Sequence, residues 1–152
     1  MKTFLQLIKD IVSYNCDVMR IPVPSIRLAA PSKFVKPTIK SAVSSDGKEL
    51  LINRTFAENK ADIPFVWLAI SHECRHIWQL LKTDILVNYQ TSAEITLLVY
   101  NSQPAEVDAW AWACNIVAQK FGIRPTLEKN FGADLWAQIE KRAYDIAENH
   151  IY

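Results

Sequence analysis

Prolines set the first limit on what this chain can become. Pro22, Pro24, Pro31 and Pro37 crowd into one stretch, and each fixes its own φ, lacks a backbone donor and disfavours helix in the residue before it. Long helices are thereby excluded from that stretch. Pro64 and Pro104 differ, because each is placed for the first turn of a helix, where a missing N–H does no harm. The spacing predicts a helix ahead of Pro22, short extended segments among the prolines, and helices from Pro64 onward.

Phe4, Leu5, Ile8, Ile11 and Val12 recur at helical intervals, with Lys2, Lys9 and Asp10 elsewhere on the wheel. The first segment is therefore an amphipathic helix that stops before Pro22. Extended segments are expected at Ser25 to Ala29, Thr38 to Val43 and Glu49 to Asn53. Between the last two, Asp46-Gly47 supplies the positive φ angles of a tight hairpin, giving a small sheet of about three strands. With Asp62 as N-cap, a helix runs from Ile63 to about Lys82; its Phe65-Val66-Trp67-Leu68-Ala69-Ile70 opening is apolar enough to be buried on most sides. Residues 83 to 101 read as a loop and candidate lid, with a short helix from Ser92 to Tyr100. Ser102 or Asn101 caps a further helix through Pro104 to about Phe121, where Gly122 stops it. A last helix, from about Ala133 to Asn149, sets Leu135, Ile139, Ala143 and Ile146 on one stripe. No repeat, low-complexity tract or linker divides the chain, so residues 1–152 are expected to form one α+β domain.

A chain of 152 residues, 50% hydrophobic and 22% charged, has the composition of a globular protein and enough length to build a core without metal or disulfide staples. Any metal would be there for chemistry first. Seventeen Lys plus Arg against sixteen Asp plus Glu leave a net charge of +1, which excludes the basic excess of a dedicated nucleic-acid binder. Eight basic residues against three acidic ones between Arg20 and Lys60 read as a solvated loop-and-strand surface. Gln6, Lys9 and Asp10 interrupt any signal-peptide core, and no run reaches the roughly eighteen apolar residues of a membrane span. Cys16, Cys74 and Cys114 are odd in number and lack CxxC spacing, which fits reduced thiols. A cytoplasmic protein without a membrane partner is expected.

Within the apolar central helix stands His72-Glu73-Cys74-Arg75-His76, an HExxH pentapeptide. Four residues make about 400° of turn and about 6 Å of rise, so the imidazoles share one face and can take two corners of a tetrahedral zinc. Glu73 stands at the margin of that face, where a carboxylate can act as general base on a zinc-held water. Burying both histidines without a partner would cost several kcal/mol, which a bound cation offsets. The third ligand lies elsewhere, because Gln79 and Lys82 occupy the places of the Gly and third His of the longer motif. The helix opening at Pro104 offers Glu106 and Asp108, about 200° apart, so only one of them can face the metal.

HECRH followed by Glu106-Val107-Asp108-Ala109-Trp110-Ala111-Trp112-Ala113 resembles the ImmA/IrrE family of small zinc metallopeptidases, whose second motif reads approximately E-x-E-A-N-x-F-A. Related gluzincin peptidases carry E-x-x-A-D there. The resemblance covers about residues 65 to 120. It implies a zincin-like fold, with the small sheet packed on the HExxH helix and a glutamate helix completing the site. It also implies a zinc held by His72, His76 and Glu106, Glu73 as base, and Ala109 as the small residue that lets two helices approach closely. Trp110 is a departure, standing where relatives have the Asn or Asp that orients a ligand histidine; that duty would pass to Asp108, to another residue or to none. The implied activity is peptide-bond hydrolysis in an intracellular protein, since relatives cut DNA-binding repressors.

An oxyanion donor is also required. Tyr89, Tyr100 and Arg75 are candidates, with Tyr100 the first to test as a catalytic residue. Cys74 and Cys114 read as packed thiols, Trp110 and Trp112 as core aromatics, and His150 as solvated. Two other function classes remain: a zincin-fold binding or regulatory module without turnover, and a metal-free helical interaction protein, for which no stoichiometric zinc is expected.

Overall fold

The computed structural model describes residues 3–58, 62–92 and 95–152. Lys2, Lys60, Ala93 and Glu94, which entered the expectations above, lie outside the described residues. The chain is α+β, with a three-stranded sheet and seven α-helices among the described residues. Helix α1 (Phe4–Met19) begins where the Thr3 hydroxyl accepts from Gln6 N at 3.2 Å and ends with Arg20 in the left-handed region, φ 52°. Ile8, Ile11 and Val12 are fully buried, each stabilising the fold by about 1.5–3 kcal/mol.

Strands β1 (Ser25–Ala29) and β3 (Glu49–Asn53) have the bounds expected, but β2 spans only Ser41–Val43. The turn after Pro37 explains the shortening: Ile39 N donates to Lys36 O at 3.0 Å, so Thr38 and Ile39 never join the ladder. The sheet order is β1-β3-β2, with β1 parallel and β2 antiparallel to β3. In the connection from β2 to β3 only Gly47 has positive φ, 70°; Asp46 instead accepts from the Ser44 hydroxyl at 2.6 Å and from Lys48 N at 3.0 Å. The turn is thus wider than the tight hairpin expected.

Strand β2 is an edge. Asn53 N donates to Lys40 O at 2.8 Å and Ser44 N to Glu49 O at 2.9 Å. Hydrogen-bonded positions alternate along an antiparallel pair, so the backbone groups of Ser41 and Val43 point away from β3.

Helices α2 (Arg54–Glu58) and α6 (Glu128–Phe131) were not expected; neither is long enough to show a periodic pattern. Helix α3 (Ile63–Lys82) is the centre of the molecule and packs on α1, on β2 and most extensively on α5 (Pro104–Phe121). Asp62 holds the N-cap position of α3, but its carboxylate makes no capping bond among the described residues; Val66 N goes to its carbonyl at 3.0 Å. Helix α4 covers Leu97–Asn101 rather than starting at Ser92, because Thr96 is the residue that caps it. Neither Asn101 nor Ser102 caps α5. Gln103 does so by position, and the Ser102 hydroxyl donates to Val99 O at 2.9 Å. Gly122, φ 67°, ends α5 as expected. Helix α7 (Ala133–Asn149) buries Leu135, Ile139, Ala143 and Ile146 and packs on α5. Among the described residues, no helix is long and apolar enough to cross a membrane.

Candidate metal centre

Helices α3 and α5 approach closely because α5 meets the core with Ala105, Ala109 and Ala113, all buried. That approach carries Glu106, in the first turn of α5, up to the histidine face of α3. Its Oε2 lies 3.1 Å from His72 Nε2 and its Oε1 3.1 Å from His76 Nε2, with the two Nε2 atoms 3.0 Å apart. All three ligand atoms fall within 4.8 Å of one another, so His72, His76 and Glu106 can hold a metal ion. A tetrahedral divalent ion with bonds of about 2.0–2.1 Å separates its ligand atoms by roughly 3.3 Å, close to the spacing here. Two imidazole nitrogens this near each other and a buried carboxylate need positive charge between them, either a proton or a cation. Burial works against ionising Glu106, but the two imidazoles hold its carboxyl far below the usual range. Burial likewise opposes charge on His76, and the Glu106 carboxylate overrides it, raising the pKa to about 9.

Glu73 stands beside this cluster, its Oε1 accepting from the Ser41 hydroxyl of β2 at 3.2 Å. Burial lifts its pKa above the ordinary carboxylate value, with the neighbouring imidazoles pulling the other way. A cleft of 510 Å³ opens here, bounded by Ser41 and Val43 of β2, Glu73, His76, Tyr89 and Tyr100. The Tyr89 hydroxyl donates to Glu106 Oε1 at 2.5 Å, and the Tyr89 and Tyr100 hydroxyls are 2.6 Å apart. Burial first, then the Glu106 charge, push both phenols above their ordinary pKa, so both remain neutral donors.

Arg75, one of the three oxyanion candidates, is elsewhere. It is fully buried, 3.6 Å from the Trp78 ring, with Nε 2.8 Å from Asp108 Oδ2. A guanidinium committed to a buried carboxylate cannot serve the cleft. Of the two acids on α5, Glu106 faces the histidines and Asp108 turns away, taking Arg75, Arg142 of α7 (Nε 2.8 Å) and Gln79 (Nε2 2.8 Å). Gln79 in turn receives His76 Nδ1 on its Oε1 at 2.8 Å.

Trp112 is core, its Nε1 donating to Asn15 Oδ1 at 2.8 Å, but Trp110 is more than a core aromatic. It is half-buried and lies on the His72 ring, centroids 4.1 Å apart. Neither Trp110 Nε1 nor His72 Nδ1 has a hydrogen-bond partner among the described residues. Cys74 turns from the metal face toward the Cys16 thiol of α1; Cys114 is buried, its pKa raised to about 12 by that burial. His150 is exposed and pairs with the Tyr152 hydroxyl at 2.7 Å. Sequence reasoning missed Ser41 and Gln79 as partners of the site: Ser41 reaches Glu73 from a distant strand, whereas Gln79 lies one helical turn beyond His76, an i, i+3 spacing that could have pointed to it. No family model, curated protein or solved structure matches the chain.

Proposed function

We propose that this protein is a zinc-dependent peptidase of zincin-like fold, akin to the ImmA/IrrE metallopeptidases, acting on an intracellular protein such as a DNA-binding repressor. The observation that carries this reading is Glu106 held between the two imidazoles of an HExxH helix, with Glu73 lining the adjoining cleft. His72, His76 and Glu106 would hold the ion, and two nitrogens with one carboxylate form a donor set that zinc favours. Bound zinc supplies Lewis acidity that polarises the scissile carbonyl and eases deprotonation of the attacking water.

The chain's own groups do the rest. Glu73 takes the proton and delivers it to the leaving amine, work suited to a carboxylate whose pKa burial has raised. Tyr100, its hydroxyl turned from Tyr89, donates to the developing oxyanion. An extended peptide pairs with the outward backbone groups of Ser41 and Val43 and so adds a strand at the edge of β2. Ile39, Leu80 and Leu86 along the cleft give it apolar walls.

Glu73→Gln tests the reading against a library of quenched-fluorescent peptides and against unfolded and repressor substrates. Turnover should fall by about 10²–10⁴-fold with zinc content unchanged. Trp110 against His72 favours one second reading, a zinc-holding regulatory module without turnover; stoichiometric zinc with no hydrolysis of any of these substrates would select it.

A further inference from the structure

The geometry points to Gln79 and Asp108 as positioning residues that fix His76 in the tautomer a metal needs, through a relay reaching α7. This rests on reading His72, His76 and Glu106 as a metal centre, and it gives a function to a residue that sequence reasoning noted only as the absence of a glycine.

The relay follows from what each atom can donate. Gln79 is 1% exposed, and one end of its amide lies against two groups that can only accept: Ala105 O at 2.9 Å and Asp108 Oδ2 at 2.8 Å. That end must be the NH₂. The carbonyl end, Oε1, is thereby forced toward His76 Nδ1 at 2.8 Å, where it can only accept, so Nδ1 carries the hydrogen. A neutral His76 then has a bare lone pair on Nε2, the atom that faces Glu106 and His72.

The amide keeps this orientation because Asp108 cannot leave. Its carboxylate is clamped by Arg75 through Nε at 2.8 Å and Nη2 at 3.2 Å, and by Arg142 through Nε at 2.8 Å and Nη2 at 2.7 Å. Arg75 lies on the same helix as His76, Asp108 on α5 and Arg142 on α7, so three helices converge on one imidazole. Metal-binding histidines commonly donate their second nitrogen to a carboxylate or carbonyl; here an amide stands between the imidazole and the carboxylate. His72 receives no such support, since its Nδ1 lacks a partner among the described residues, so the alignment of the pair falls to His76.

The test reads the tautomer by two-bond ¹⁵N–¹H imidazole spectra of metal-free protein in alkaline buffer, and zinc affinity by chelator competition. Wild type should show His76 protonated at Nδ1 with slow solvent exchange. Gln79→Leu should mix the tautomers and weaken zinc binding by about 10- to 100-fold with its circular dichroism unchanged. Gln79→Glu keeps an acceptor for Nδ1 but removes the donor that faces Asp108 Oδ2 and Ala105 O, so it should keep the tautomer while lowering the unfolding temperature. A folded Gln79→Leu with wild-type tautomer and zinc affinity within about threefold overturns the proposal. If that variant does not fold, the wild-type spectrum alone decides, because protonation at Nε2 refutes the relay. Should wild type bind no zinc, the metal reading fails separately, while the tautomer is still measured.

Discussion

Loading the site with zinc should raise the unfolding temperature by about 13 °C. Only the folded chain brings α3 and α5 together, so an ion held by His72, His76 and the 1% exposed Glu106 stabilises that state alone. With free zinc at about 1,000 times its dissociation constant, the stabilisation is about 4.1 kcal/mol. Unfolding entropy near 2.1 cal/mol/K per residue, over 152 residues, comes to about 0.32 kcal/mol/K, and the ratio gives the stated rise. Differential scanning calorimetry in a zinc buffer and in chelator measures it. His76→Ala retains two ligands, and a roughly hundredfold loss of affinity would leave about 4 °C of the rise, since each tenfold loss removes about 1.4 kcal/mol. Equal unfolding temperatures in zinc and chelator for the wild type, or an undiminished rise in His76→Ala, would refute the joint role of these three side chains.

Zinc affinity should increase with pH, because binding displaces the proton that Glu106 stabilises on His76, whose pKa is about 9 against burial. The apparent constant should tighten about tenfold per pH unit up to that value and then level off; competition titrations across pH check it, and a flat profile contradicts it. The same raised pKa means that the metal-free fold has this contribution in full below about 6.5 and loses it as pH rises through about 9. Tyr100→Phe should lower kcat by about 10²–10³-fold with zinc content unchanged; an unchanged kcat would exclude Tyr100 as oxyanion donor. No thiol should react with a bulky alkylating reagent in the native state, since Cys16, Cys74 and Cys114 are at most 1% exposed; mass spectrometry before and after denaturation checks this, and native labelling contradicts the packing.

What the sequence disclosed was local. β1, β3, α3 and α7 have the bounds expected, because prolines and a 3.6-residue apolar period act within a few residues of one another. The histidine pair was legible for the same reason, and Glu106 became so through the motif that it opens. The remainder depended on partners far along the chain. Parallel pairing of β1 with β3 is decided across the intervening β2. The Ser41 hydroxyl reaches Glu73, and Gln79 reaches Asp108, and neither contact leaves a periodic trace. Asn101 and Ser102 resembled caps because their side chains can cap, but Ser102 bonds backward to Val99 instead. Trp110 does pack on the core, as expected, but its further contact with His72 depends on how α5 crosses α3 and left no trace in the spacing.

The brevity of β2 has a consequence for what the cleft could accept. An edge of three residues, Ser41–Val43, offers about 10 Å of extended backbone, and the first of those residues also braces Glu73. A target threaded there must surrender its own secondary structure over that length. On the proposed reading, a well-folded domain would resist scission, while an interdomain tether would yield to it. The target's local unfolding equilibrium would then set the rate as much as the residues flanking the cut.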